Sequence, residues 1–380
     1  MAVRVICAPD KLRGSLDAAE AAAALAAGVR AAGGRPVEHP LADGGEGSRG
    51  TVQEARGGTV LDVESVDAFG RPWRAKTGRL DDGTAIVEAA EAVGWGALAE
   101  GERDPMRASS AGLAAPLLAA AGDARRVVVF LGGTATMDGG TGLLAALGAE
   151  ILDGEGRRLS GSGADLARVH SIDLAPARER LKGVELLVAA DVVSPLYGPN
   201  GAARVFGPQK GADPDMVEVL DDGLRRLAPL LGVGSGRGDG ADAAPGGGAA
   251  GGLGAALLAL GARMKPGAVL IRELTRFDEL LVDADLCLTA EGKVDASTDA
   301  GKTIRAVVDA CAEAQVPCVV LGGTLTADAQ RLYERGATAV LSVSPGPRDL
   351  DTALREAGSD LTATAYAVCR MMRRNRPGSG

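Results

Sequence analysis

The two ends of this 380-residue chain share a pattern that its middle lacks. Residues 3–8 form a short apolar, β-branched run stopped by Pro9, and the polar turn 10–15 leads to an alanine-rich stretch from Asp17 to Arg30. Ser15 is the expected N-cap of that helix and Gly33-Gly34 its end. A second strand follows over 36–41. Near the C-terminus, 284–289, 316–321 and 337–342 are again apolar strand runs, with alanine-rich helix between them at the roughly 30-residue period of βα units. Runs apolar throughout suit a parallel sheet covered on both faces. From about Gly58 the pattern changes to alternating segments, 58–63 and 84–89, which suit an antiparallel, half-exposed sheet. The predicted architecture is therefore a doubly wound, flavodoxin-like α/β domain made from residues 1–70 and 283–380, with a second α/β domain, 71–282, inserted in it.

Glycine loops mark the inserted part. The segment Leu131-Gly132-Gly133-Thr134-Ala135-Thr136-Met137-Asp138-Gly139-Gly140-Thr141-Gly142 lies between a strand run, 126–131, and a helical run, 143–147. Glycines leave backbone N–H groups uncovered, and a helix start adds unpaired donors, so this layout can hold a phosphate without a basic side chain. A second glycine tract, 245–254, runs into another helical stretch in the same way.

A net charge of -9 and only 2% aromatic residues argue against a nucleic-acid partner, which calls for clustered Lys and Arg with stacking rings. No signal peptide and no apolar run of membrane-spanning length is visible. The cysteines at 7, 287, 311, 318 and 369 are odd in number and lack CxxC spacing, so buried free thiols in a cytoplasmic protein are expected rather than disulfides or zinc.

In a doubly wound sheet ligands lie beyond the carboxyl ends of the strands, and Asp10, Asp43, Glu46, Glu291 and Asp295 fall on that rim. Grouped carboxylates repel one another unless a cation joins them, which suggests magnesium with phosphate oxygens. The stretch 296–303 approaches a P-loop motif but lacks its first glycine and its position directly after a strand; Lys302 is retained only as a phosphate contact. Asp191 closes the apolar run 184–190, and the turn-rich segment 197–212 carries Arg204, Gln209 and Lys210, an anion-binding composition.

Read together, Ala8-Pro9-Asp10 with Gly14-Ser15, the block 40–47, Gly132-Gly133-Thr134-Ala135-Thr136 with Asp138-Gly139-Gly140, the block 205–212 and the block 248–255 resemble the signature blocks of the bacterial type I glycerate kinases. They run collinearly from residue 3 to about 345. The resemblance implies ATP-dependent phosphorylation of a small hydroxy acid, glycerate, giving 2-phosphoglycerate, with magnesium, on two α/β domains. On this reading Gly132, Gly133, Thr134, Gly139, Gly140, Gly251, Gly252 and Lys302 hold the nucleotide, and Asp43, Glu46, Asp138 and Glu291 are the candidate metal ligands. Asp191 or Asp295 is the candidate base. Arg13 and Lys210 act on the transferring phosphoryl or the acid group, and Asp10, Arg204, Gln209 and Met137 contact substrate.

Departures accompany the resemblance. Leu12-Arg13 stands where the family usually has Phe-Lys, Met137 where a small polar residue is usual, Ala190-Asp191 with Ser194-Pro195 in place of Cys-Asp with Asn-Pro, and Ser297 within the late block. Two further readings stay open: a kinase of the same mechanism acting on a glycerate-like hydroxy acid or an analogue with a different anionic head group, and a non-catalytic nucleotide or metabolite sensor derived from such a kinase.

Overall fold

The computed structural model describes residues 2–99, 101–190, 194–232, 245–295 and 303–374. It divides into two compact units, one of Met1–Asp43, Gly50–Arg56 and Ala268–Gly380, the other of Gly44–Arg49 and Gly57–Gly267. The chain thus crosses near residues 43–57 and 267, rather than at 70 and 282, because the strand starting at Thr59 pairs within the second unit's sheet.

The strands, in chain order, are β1 Arg4–Cys7, β2 Arg35–Glu38, β3 Thr59–Val66, β4 Pro72–Arg79, β5 Thr84–Glu88, β6 Arg126–Phe130, β7 Glu150–Asp153, β8 Val169–Asp173, β9 Glu185–Ala189, β10 Arg263–Lys265, β11 Leu286–Val294, β12 Cys318–Leu325 and β13 Ala339–Ser342. In the first unit five of them form one wholly parallel sheet ordered β2-β1-β11-β12-β13. This is the 2-1-3-4-5 order of a flavodoxin-like sheet, as the sequence predicts. Its topological switch point lies between β1 and β11, where connections leave in opposite directions.

The helix Ala18–Ala31 covers one face of that sheet. Its N-cap is Asp17, not Ser15. The Asp17 side chain accepts the Glu20 N–H at 2.8 Å while Glu20 accepts the Asp17 N–H at 2.9 Å, a reciprocal capping box that satisfies two otherwise orphaned donors. Ser15 instead donates its hydroxyl to the Leu354 carbonyl, 2.7 Å away, tying the turn to the helix Leu350–Arg374. Leu25, Ala26 and Val29 of the first helix and Leu361, Ala365 and Val368 of the last meet Val5, Leu288 and Leu321 in one core.

The second unit is built on a mixed sheet ordered β3-β4-β5-β6-β9-β10. β3, β4 and β5 pair antiparallel, and β5, β6, β9 and β10 run parallel. The alternation read in the sequence corresponds to the antiparallel edge, where Val60 and Leu61 are exposed. β7 and β8 form a separate hairpin. Among the described residues no helix is long and apolar enough to cross a membrane.

Leu25 is fully buried between the first and last helices, so Leu25→Ala removes buried surface and leaves a cavity; we expect a loss of about 2–5 kcal/mol in urea unfolding. Val282, 80% exposed, serves as the control, and Val282→Ala should stay within about 0.5 kcal/mol of the parent.

Candidate functional site

In the first unit, the carboxyl ends of β1, β11 and β12 open into a cleft of about 410 Å³. Asp10, Lys11 and Arg13 line it from the turn after β1, Asp43 from the segment after β2, Glu291 and Asp295 from β11 and its end, and Arg348 from the opposite wall. The register explains the rim. β1 stops at Cys7, opposite Leu288, while β11 continues to Val294 and stays paired with β12, Glu291 beside Gly322 and Lys293 beside Thr324. The longer strands overhang the switch point and hold Glu291 on a hydrogen-bonded ladder rather than on a loop.

Asp10 is 6% exposed. Its Oδ2 accepts the Thr303 hydroxyl at 2.6 Å and its Oδ1 the Lys11 N–H at 2.7 Å. Burial first, then the charge of Asp43, raise the Asp10 carboxyl above its ordinary range, against those two hydrogen bonds and Lys11. The Lys11 ammonium lies 3.8 Å from Asp43, and Lys293 lies 3.0 Å from Asp295. Arg13 is exposed on the rim. Arg348, which the sequence reading missed, is largely buried and paired with Asp360 and, at 2.7 Å, with Glu356. Only its position before a helix start could have drawn notice.

Among the described residues no three acids bring their oxygens within 4.8 Å of one another, so the cleft is not a ready-made metal cage. Magnesium does not require one: it is commonly held by one or two carboxylates with the remaining positions on phosphate and water. The donors present are carboxylates, the mutual repulsion of Asp10 and Asp43 is what a cation relieves, and the residues fit that ion.

In the second unit the glycine loops are interlocked. The Gly139 N–H donates to the Gly251 carbonyl at 2.9 Å, and a Cβ on Gly251 would lie 2.0 Å from the Thr136 carbonyl oxygen. Gly139, Gly140, Gly251 and Gly252 are buried, and their lack of side chains serves backbone-to-backbone contact rather than an open cradle. Gly132 and Gly133 remain half-exposed. A Cβ on Gly132 would stand 2.4 Å from the Gly45 Cα, so the 44–47 loop rests directly on this turn, and Glu46 reaches Gly133. Glu88, at the end of β5, fixes the 44–47 loop by accepting the Gly47 and Arg49 N–H groups at 2.8 and 3.1 Å. The charge closing the apolar run 84–87 was the available signal for Glu88.

Asp138 does not face outward as a metal ligand would. It is fully buried; its Oδ2 accepts the Ser110 N–H and hydroxyl, both at 2.7 Å, and the Gly142 N–H at 3.1 Å, while Oδ1 accepts the Gly140 N–H at 3.0 Å. The helix-start donors expected to hold an external phosphate are thus taken by the chain's own carboxylate. Burial nonetheless outweighs these hydrogen bonds and raises the Asp138 carboxyl. Met137, expected to touch substrate, is fully buried in the core with Leu143 and Leu253, because the loop turns it inward.

Thr134 is likewise buried, and Lys210 reaches it from beneath. The Lys210 amine donates to the Thr134 hydroxyl at 3.3 Å and the Thr136 carbonyl at 2.6 Å, and burial, partly offset by the Asp138 charge, lowers the amine to about 7. Lys210 therefore props the loop instead of presenting a free cation. Arg204 is also engaged: both its terminal nitrogens meet Glu218 at 2.7 Å, and its Nε lies 3.8 Å from the buried Asp221. Gln209 is exposed, and its carbonyl accepts Arg103 at 2.9 Å. Asp191, Ser297 and Lys302 lie outside the described residues.

An acid-lined cleft at the switch point of a flavodoxin-like sheet, carried on the same chain as a mixed-sheet unit with a half-exposed glycine turn, defines a two-unit α/β small-molecule kinase. Comparison with known proteins gives the family. The glycerate kinase family pattern matches residues 5–373. Glycerate kinase of Bacillus subtilis is 38% identical over 374 residues, 96% of this chain and 97% of that one. Glycerate 2-kinase of Escherichia coli is 36% identical over 360 residues, 93% and 94% of the two chains. The crystal structure of a Salmonella typhimurium LT2 chain assigned to glycerate kinase 2 superposes with a TM-score of 0.83 at 35% identity, covering 98% of this chain and 99% of that one. The chain belongs to the glycerate kinase family.

Two outcomes test the propped loop. Lys210→Ala leaves the Thr136 carbonyl without its donor and should cost about 1–3 kcal/mol in denaturant unfolding, measured above pH 8 so that the lysine is neutral. Lys210 has a folded value of about 7 against 10.5 unfolded, so between these limits the unfolded chain binds the proton that the native chain lacks. Stability should therefore rise with pH from about 7 toward 10.5, and the rise should shrink in Lys210→Met when unfolding is followed at pH 7 and pH 9.

Proposed function

We infer that this chain transfers the γ-phosphoryl group of ATP to a hydroxyl of glycerate, giving 2-phosphoglycerate and ADP. The observation that carries this reading is the acid-lined cleft at the switch point of the first unit, on a chain more than one-third identical over nearly its whole length to glycerate kinases. Phosphoryl transfer asks a protein for positioning and charge neutralisation, and the cleft supplies groups for both.

In this reading the Gly132-Gly133 turn offers backbone N–H groups to the nucleotide phosphates. Lys11 and Arg13 hold the acid group of the substrate, Arg with a fork that matches a carboxylate. Magnesium, held by Asp43 or Glu291, supplies charge neutralisation on the phosphates when bound. Asp295, 3.0 Å from the Lys293 ammonium, takes the proton of the attacking hydroxyl as the bond to phosphorus forms and the bond to the ADP oxygen breaks. Asp191 remains a second candidate for that proton. Asp10, locked by Thr303, orders the turn bearing Lys11 and Arg13.

The burial of Met137 removes one of the departures that would point to a different hydroxy acid, since a side chain enclosed in the core cannot select a substrate. The five free and buried cysteines fit a reducing compartment such as the cytoplasm.

An ATP-consumption assay across a panel of hydroxy acids tests the reading. Glycerate should give the highest kcat/KM, and the product should be consumed directly by enolase, which accepts 2-phosphoglycerate and not its 3-isomer. ATP hydrolysis without phosphorylated acid, or no turnover with any acid, would overturn it. Asp295→Ala should lower kcat by about 100-fold or more with the fold intact by circular dichroism; a rate near the parent's removes Asp295 as the base.

A further inference from the structure

On the sheet of the first unit, Cys287 of β11 stands directly opposite Cys318 of β12. Leu286, Leu288, Val319 and Leu321 point into the core shared with the first and last helices, so strand alternation turns both cysteines to the other face. The helix Thr303–Glu313 packs there and brings Cys311 to the same point. The three sulfurs lie within 4.8 Å of one another, and all three residues are fully buried. None of them lines the cleft.

An ion about 2.3 Å from each sulfur, the usual metal–thiolate distance, sits at the centre of a triangle with edges of about 4 Å. The observed cluster reaches that triangle with sub-ångström adjustments.

We propose that Cys287, Cys311 and Cys318 form a three-sulfur site for a soft, thiophilic metal ion of the copper(I) class. Thiolate sulfur selects soft ions, and a structural zinc ion takes four ligands. Among the described residues no fourth His, Cys, Asp or Glu joins the group, and the fully buried position leaves no open side for solvent. A three-coordinate ion matches that set. Binding leaves copper in the +1 state; each thiol that ligates releases its proton to solvent, and no electron moves. Because Cys287 lies four residues before Glu291 on the same strand, an ion here clamps β11, β12 and the helix 303–313 together behind the cleft wall.

The full-length, reduced protein, titrated without oxygen with copper(I) in competition with a copper(I) chelator, tests the site. The expected result is uptake of one equivalent, a thiolate-to-copper charge-transfer band in the ultraviolet, and a higher Tm. Cys311→Ser and Cys318→Ser should each weaken uptake by about 100-fold or more, while the paired change Cys7→Ser, Cys369→Ser should leave it intact. Circular dichroism verifies that each variant is folded, and Cys311→Ala replaces the serine variant if that one is not. No stoichiometric uptake against the chelator, uptake retained in both single variants, or zinc binding more tightly than copper(I) at these sulfurs would each overturn the proposal.

Discussion

A carboxylate removed from water has to find donors within the protein, and in the second unit that requirement organises the whole loop region. Asp138 gathers the Ser110 N–H and hydroxyl together with the N–H groups of Gly140 and Gly142, so the loop 138–142 and the turn at Ser110 cannot be placed independently. Once Asp138 is fixed, Gly139 meets Gly251, and Lys210 meets the Thr136 carbonyl from below. What remains exposed is the short turn Gly132-Gly133, supported by Gly45 and, through Gly47 and Arg49, by Glu88. The buried acid thus supplies internally the negative charge that a helix start attracts.

In the first unit the decisive constraint is strand length. The sheet order places β1 and β11 at the switch point, and the extra residues of β11 carry its carboxylate past the end of β1. Repulsion between Asp10 and Asp43 is tolerated because Lys11 and Thr303 share their surroundings.

The parallel sheet and the insertion were legible in the sequence because both rest on local signals, namely apolar runs of strand length at a βα period and a switch to alternation near Gly58. Four acids of the cleft, Asp10, Asp43, Glu291 and Asp295, were legible for a related reason, since in this topology a strand end is a functional position, whereas Glu46, read onto the same rim, belongs to the second unit. The direction in which a loop residue points was not. Met137 and Asp138 lie in one turn-rich segment of the sequence and Lys210 in another, yet all three are buried, through contacts with residues as distant as Ser110 and Gly251. Cysteine spacing failed for the same reason. Cys287, Cys311 and Cys318 have no motif spacing, and only strand register and helix packing bring them together.

The interrupted first sheet has a consequence for how the chain is made. β1 and β2 emerge early, but β11, the neighbour that closes the other edge of β1, begins 248 residues after Glu38. At ordinary synthesis rates of about 5–20 residues per second, that is a wait of roughly 12–50 s. The second unit has its strands complete before β11 exists, while β1, with Val5, Ile6 and Cys7, stays open on one edge. The newborn chain carries its aggregation hazard on the open edge of β1, and β11 closes it.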